Sequence, residues 1–251
     1  MARNRRRSLK RPIPAKNTLK WRAARLALLA NSTPLPPSTL EPAGLAPGNS
    51  KIGATGTLYS TGFVWNLPSV ATCPGASSWC RQHCYNADPR DSKFPTNEWQ
   101  ENWSWFLLQP DKLREKIDLQ LSAAKPPVAV RIHSSGDFFS NEYIDFWRKI
   151  ATDHSSVSFW TYTRSWTEPS LLDSLEALRQ IPNLEVFASI DASMSPPPSG
   201  WRLSIVVEDT VDTAQDQDNL PCPEQFDKLS NCLSCGYCIR RGRGNVIFTL
   251  H

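Results

Sequence analysis

One strand-then-helix unit repeats through the middle of the chain, and it restricts the fold more than any other feature. VAVRIH (128–133) is an apolar run of strand length; in the SNEYIDFWRKI that follows (140–150), Tyr143, Phe146, Trp147 and Ile150 recur at helical spacing. VSFWTYT (157–163) and LLDSLEALRQI (171–181) repeat the pattern, with Leu171, Leu175, Leu178 and Ile181 on one face. LEVFASI (184–190) begins a third round. Ser140 stands where its hydroxyl caps the first of these helices. Strand starts at 128, 157 and 184 leave room each time for a strand, a crossover helix and two turns. Units of that length join parallel strands through right-handed crossovers.

Ahead of the repeat, residues 62–66 read as a strand and 98–108 and 111–122 as helices, the second with Asp111 available as a cap. After it, WRLSIVV (201–207) follows the Pro-rich MSPPPSG with no room for a crossover helix, and VIFTL (246–250) is a last strand. The expected fold is α/β: a partial (βα) barrel or open parallel sheet of about six strands, with a cysteine-rich C-terminal segment. Loops at the carboxyl ends of such strands gather the active site.

Charge divides the chain unevenly. Residues 1–50 hold ten Lys/Arg against one acid, Glu41, whereas residues 51–251 hold eighteen against twenty-three, so the net +4 belongs to an arm. That arm joins a basic start, a helix-capable stretch at 19–30 and a Pro-, Gly-, Ser- and Thr-rich linker at 31–50. Residues 51–220 are expected to form the α/β core and 221–251 the cysteine-rich extension with the last strand. The arm reads either as a disordered, solubilising segment or, over residues 1–25, as a contact for nucleic-acid phosphates. No apolar run approaches the roughly eighteen residues of a membrane helix, and the Arg-rich start lacks a secretory leader's apolar segment. A cytoplasmic protein with no membrane partner is expected.

All seven cysteines fall in two short windows: Cys73, Cys80 and Cys84, then Cys222, Cys232, Cys235 and Cys238. An odd, clustered set in a long chain departs from the distributed pairs of a disulfide framework and points to metal. In the later window two x2 gaps wrap backbone around a compact centre, with Cys222 reaching in from a separate limb. Four thiolates suit a [4Fe-4S] cluster, as in the bacterial ferredoxin run, and suit a tetrahedral zinc ion equally. The downstream RRGRG (240–244) either offsets the charge of such a centre or is an ordinary solvated turn. Three thiols in the earlier window are enough to hold a [4Fe-4S] cube with one iron left open to a small molecule. That arrangement resembles radical SAM enzymes, whose open iron takes the amino and carboxylate groups of S-adenosylmethionine. The spacing here, x6 then x3, departs from the usual x3, x2 pattern. His83 offers a Cys3His zinc site instead, although its place beside Cys84 makes joint ligation awkward.

Polar groups recur at the predicted strand ends. In RIHSSGD (131–137), Gly136 permits a tight turn, while His133 and Asp137 bring an acid/base pair into one loop. In position alone this loop resembles the Gly-Gly-Glu segment of radical SAM enzymes, which receives the amino group of S-adenosylmethionine. Arg164 offers a planar donor fork for a carboxylate or phosphate, with Trp166 as an apolar wall beside it. Asp191 and Glu208 follow the next strands. His133, Asp137 and Arg164 are therefore the candidate catalytic residues, and Gly136 and Asp191 the candidate cofactor-binding residues. The plainer alternative is a loop cap at Asp137 and a structural salt-bridge network across the strand ends.

NSKIGATGTLYS (49–60), CPGASSWCRQHCY (73–85), HSSGDFFSNEYIDFWRKI (133–150), FWTYTRSW (159–166), CPEQFDKLSNCLSCGYC (222–238) and VIFTLH (246–251) together resemble the phage gene product 88 family. The resemblance implies a phage-encoded protein in a bacterial host, with all seven cysteines as ligands and His133, Asp137 and Arg164 as pocket residues. More distantly, the chain resembles radical SAM proteins, which implies a radical-SAM-like partial barrel. The resulting expectation is a redox enzyme, an oxidoreductase or transferase, with two [4Fe-4S] clusters and S-adenosylmethionine at the open one. It would take an electron donor and a small-molecule or macromolecular substrate. The alternative is a non-enzymatic, zinc- or cluster-stabilised regulatory protein that binds nucleic acid through its arm, without helix-turn-helix or zinc-finger spacing.

Overall fold

The computed structural model describes residues 16–87, 96–208, 219–225 and 229–250. The basic run before Lys16, the acidic 209–218 and His251 lie outside the described residues. Within them the strands are β1 (Ala46–Pro47), β2 (Thr61–Trp65), β3 (Val128–Ile132), β4 (Ser158–Thr163), β5 (Leu184–Ile190), β6 (Arg202–Val207), β7 (Asn219–Pro221) and β8 (Asn245–Thr249). The α-helices are α1 (Lys16–Ala30), α2 (Ser78–Gln82), α3 (Thr96–Leu108), α4 (Pro110–Ala123), α5 (Asn141–Asp153), α6 (Pro169–Arg179) and α7 (Cys232–Cys235).

All eight strands join one sheet in the order β1-β2-β3-β4-β5-β6-β8-β7, and among them only the β1–β2 pairing is antiparallel. The sheet is open and mostly parallel, with its shortest strands at the edges, where a long unpaired strand would invite other chains to pair. The repeat unit is the cause of this order. Each β-then-α segment returns the chain parallel to the last strand and beside it.

Alternation along the strands gives the sheet two different faces. On β3, Val128, Val130 and Ile132 enter the large core with α3, α4, α5 and α6, while Ala129 faces the other way with Val64 and Trp160. Register carries the division across the sheet: Val130 lies beside Phe159, and Phe159 beside Leu184, all in the helix-side core. α5 shows what holds the helices. Tyr143, Phe146, Trp147 and Ile150 are poor to middling helix formers, yet all four are buried on one stripe. Burying each such side chain is worth about 1.5–3 kcal/mol, so packing fixes this helix more than propensity does. Ser140 caps it, accepting a hydrogen bond from the Tyr143 amide at 3.2 Å.

Two features differ from the sequence reading. α4 begins at Pro110, with Gln109 at the N-cap and no side-chain cap, so Asp111 sits in the first turn instead of capping it. Proline at the first helical position presets φ and has no amide to leave unbonded, which moves the start forward. The stretch read as a linker is partly folded onto the body. Gln120 on α4 accepts from the Leu45 amide at 2.7 Å and donates to the Ala43 and Leu45 carbonyls at 3.3 and 3.0 Å, and Leu45 is buried.

The face opposite the helices is covered by the C-terminal segment, where Leu233 and Ile239 pack on Val64, Ala129 and Trp160. The loop before β2 cradles α7. Cys232 and Leu233 donate backbone hydrogen bonds to the carbonyls of Lys51 (2.9 Å) and Ile52 (3.2 Å), and Leu58 donates to the Leu233 carbonyl (3.2 Å). Gly56 makes this approach possible: a Cβ there would lie 2.5 Å from Leu233 Cβ and 2.6 Å from its carbonyl carbon.

Candidate metal centres

The first cysteine set is presented by a short loop and helix over the carboxyl ends of the parallel strands. Ser77 caps α2 by accepting from the Cys80 amide at 2.9 Å. Its hydroxyl also donates to Asp191 Oδ2 at 2.7 Å, at the end of β5. Asp191 Oδ2 in turn takes Arg164 Nη1 at 2.5 Å, an ion pair with side-chain exposures of 8% and 0%. The Arg164 amide donates to Asp137 Oδ2 at 2.8 Å, while Thr163 Oγ1 and the Phe138 amide donate to Asp137 Oδ1 at 2.6 and 2.7 Å. A continuous chain of polar contacts thus runs from Cys80 to the ends of β5, β4 and β3. From the outer side, Arg81 reaches the Cys73 carbonyl at 3.3 Å, and Arg22 of α1 donates to the carbonyls of Gln82 (3.0 Å) and Cys84 (2.9 Å).

Burial sets the protonation of this group. It pushes the Cys73 thiol well above its ordinary value, helped by the Asp137 charge. It pushes Cys80 up to about 11, although the Arg164 charge pulls the other way. Cys84 and Cys80 raise Cys73, and Cys84 raises Cys80, so the three thiols lie within one another's field. Burial also raises Asp137 to about 6 against the hydrogen bonds of Thr163, Arg164 and Phe138. At Asp191 burial opposes ionisation, but the bonds from Ser193 and Ser77 and the Arg164 charge outweigh it and hold the carboxyl below its usual range.

The second set lies on the face opposite the helices. Asn231 caps α7 by accepting from the Ser234 amide at 2.8 Å, and Gly236 ends it in the left-handed conformation. Cys222 donates its amide to the Ile247 carbonyl at 2.9 Å and packs with Phe187 and Val246. Tyr162 joins the two limbs: its ring packs beside Phe187 (5.2 Å) and Phe248 (5.5 Å), in the same clusters as Cys238. Burial pushes Cys232 up to about 11 and Cys238 up to about 12. Cys222 raises Cys232, Cys235 and Cys238, so this set too gathers around one region.

The candidate residues separate into two groups. Asp137, Arg164 and Asp191 come together with the first set: the Asp191 carboxylate takes Arg164 Nη1 and Ser77 Oγ, while the Asp137 carboxylate accepts from the Arg164 and Phe138 amides and Thr163 Oγ1. Gly136, at φ 81, lies against the approach to Cys73, where a Cβ would stand 2.6 Å from Leu67 Cβ and 2.8 Å from Thr72 Oγ1. His133 is placed elsewhere. Its φ of 68 interrupts the alternation of β3 and turns the ring under α5, where Nε2 shares a 2.8 Å hydrogen bond with the Tyr143 hydroxyl. Burial lowers its pKa to about 3, followed by the Arg131 charge. It is a neutral core residue, with no described bond to the cysteine sets. His83 stacks on Trp79 at 4.3 Å and places Nδ1 2.9 Å from the Trp79 carbonyl. Sequence reasoning missed Ser77, Tyr162 and Arg131. Only Arg131 carried a clue, as a charge on the inward phase of an otherwise apolar strand.

Among the described residues no three Cys, His, Asp or Glu side chains converge closely enough to hold a single metal ion. The donor chemistry nonetheless suits a thiophilic metal group: two gathered sets of soft sulfur ligands, each within a low-dielectric pocket. A cluster spreads its cysteine ligands over several irons and accepts thiols that stand further apart than those around one ion. Loading would have to displace protons that burial holds on the sulfurs.

Fold and site define an α/β protein with an open, mostly parallel sheet, a three-cysteine loop at its strand ends and a four-cysteine segment across its other face. Residues 40–241 match the gene product 88 family, and the chain belongs to that family. It is 29% identical over 234 residues to the Gene 88 protein of Mycobacterium phage L5, and 29% identical over 229 residues to that of Mycobacterium phage D29. Each alignment covers 80% of this chain and 90% of the relative. No solved structure matches. Among the described residues no helix is long and apolar enough to cross a membrane.

Proposed function

We propose that this chain is a cytoplasmic iron-sulfur protein of phage-infected bacteria, a redox enzyme on a radical-SAM-like partial barrel. The observation that carries the reading is the placement of Cys73, Cys80 and Cys84. The three thiols, Cys73 and Cys80 of them desolvated, are gathered over the carboxyl ends of β3, β4 and β5, and Ser77, Asp191 and Arg164 hold their loop there. These are the strand ends where parallel α/β folds build their sites. A three-cysteine [4Fe-4S] cluster supplies one-electron chemistry and an iron open to a small molecule, for which we propose S-adenosylmethionine. His83 stays on Trp79, leaving that position without a fourth ligand from α2. The second set would hold a structural or electron-transfer cluster.

In this reading Asp137 and Asp191 position the cysteine loop, and Arg164 anchors to Asp191 through Nη1. An open groove of about 550 Å³ beside the loop, lined by Pro74, Ser77, Trp166, Leu172, Met194 and Pro198, is the space offered to a substrate. Arg22 is committed to the carbonyls beside Cys84, which ties the start of the chain to this loop and takes one cation from the proposed nucleic-acid contact. The test is iron, acid-labile sulfide and zinc per chain in protein made anaerobically with ample iron and sulfur. About eight irons and eight sulfides are expected for two such clusters. Zinc without sulfide would overturn the reading.

A further inference from the structure

The second cysteine set is tied to the body on both sides by bonds that use no sulfur. Ahead of it, the Lys51 and Ile52 carbonyls take the Cys232 and Leu233 amides. Asn231 Nδ2 donates to the Thr55 carbonyl at 3.1 Å, and the Thr57 amide donates to Ser234 Oγ at 3.2 Å. After it stands Arg202, at the start of β6. Its Nη2 donates to the carbonyls of Tyr237 (3.3 Å) and Gly244 (2.9 Å), its Nη1 to that of Arg240 (3.1 Å), and its Nε to Gly244 again (3.2 Å). Tyr237 and Arg240 flank Cys238.

Arg202 is fixed in turn. Its Nη1 also meets Glu185 Oε2 at 2.6 Å, with side-chain exposures of 15% and 8%, and the guanidinium lies over the Phe187 ring at 4.2 Å. All five guanidinium N–H groups therefore have acceptors. Arg241 Nε stands 3.1 Å from the other Glu185 oxygen, and its Nη2 donates to the Arg179 and Ile181 carbonyls (2.8 and 2.6 Å) at the end of α6. The RRGRG turn thus closes on the sheet and on α6. A buried ion pair is tolerated where further hydrogen bonds satisfy it, and a planar fork then fixes whatever it touches. Small metal-folded domains have no such body to lean on, so their metal-binding free energy is their folding free energy.

We infer that the second cysteine set is a loadable centre: Arg202 and Glu185 position the turn that carries Cys238 with or without metal, so metal there does not hold the fold. Of the two roles proposed above for a cluster at this set, that leaves electron transfer. The inference rests on the second set holding metal, as proposed above, but not on which metal.

The experiment removes metal from the full-length wild-type chain with a chelator and follows hydrogen exchange of the Gly236, Ile239 and Arg240 amides, which bond within the turn. In the stripped chain they should exchange at least about a hundredfold slower than in an unstructured peptide. Faster exchange shows a segment folded by its metal and overturns the inference. Arg202→Lys and Arg202→Met are then loaded and challenged with a chelator, in a Cys80→Ser background that leaves the second set to be scored alone. Release should quicken about tenfold or more in both, because one ammonium cannot span a carboxylate and three carbonyls. Release at the wild-type rate in Arg202→Lys overturns the positioning role, even if Arg202→Met fails to fold. Zinc without sulfide at the second set sinks the proposed function and leaves this inference to the same two readings. A second set that takes neither iron nor zinc overturns it.

Discussion

Asp191→Ala should loosen the first cysteine loop and destabilise the whole domain. The Asp191 side chain is fully buried and accepts from Arg164 Nη1 (2.5 Å), Ser77 Oγ (2.7 Å), the Ser193 amide (2.9 Å) and Ser193 Oγ (2.5 Å). Its removal leaves the Arg164 guanidinium buried beside the Met194 sulfur, with no other ion-pair partner among the described residues. Breaking a buried pair from one side costs about 3–5 kcal/mol, which exceeds the hundredfold loss in folding equilibrium that about 2.7 kcal/mol represents. Urea denaturation at pH 7 reads that cost, and hydrogen exchange over residues 73–84 reads the loop. The double variant Arg164→Met/Asp191→Leu separates the two effects. Replacing both charges by apolar groups removes the orphaned cation, so most stability should return. Ser77 still lacks its acceptor, so exchange in the loop should stay fast. A cost below about 1 kcal/mol for Asp191→Ala, or a slow-exchanging loop in the double variant, would refute the anchoring role.

Two further outcomes follow from the packing. His133 has its pKa lowered to about 3 by burial, so below its unfolded value near 6.5 the unfolded chain takes up a proton that the folded chain refuses. Stability should therefore fall by about 2 kcal/mol between pH 8 and pH 5 from this group, and His133→Asn, which tolerates a positive φ, should flatten that slope in urea titrations. Gly56→Ala puts a Cβ 2.5 Å from Leu233 and should cost about 1–3 kcal/mol while releasing metal from the second set alone, as assayed by chelator competition on cysteine-substituted chains.

Much of the fold was legible because it rests on local periodicity. The strands around 128, 157, 184, 202 and 246 and the helices α3 to α6 fall within a few residues of their expected places, since each carries its own apolar pattern. The pieces without a pattern were not legible. α2 and α7 have five and four residues, and β1 and β7 two and three, and each exists because of what it docks against. The same division holds in the site. Spacing grouped the cysteines into two sets, but it carried no information that Ser77 would link Cys80 to Asp191, or that Tyr162 would pack into the same clusters as Cys238.

By itself, then, the sequence determined a parallel βα series, its helical faces and two windows of soft ligands, all properties of residues near one another in the chain. Tertiary structure decided which side chains became neighbours. His133 follows a strand in the sequence as a catalytic histidine would, yet a single left-handed φ turns it into the helix-side core. Arg131 looks like an interruption in an apolar strand, yet alternation turns it to the face covered by the returning C-terminal segment, over the Tyr162 ring. Backbone turns and long-range register fix the direction of a side chain, and neither is encoded in the spacing of residue types.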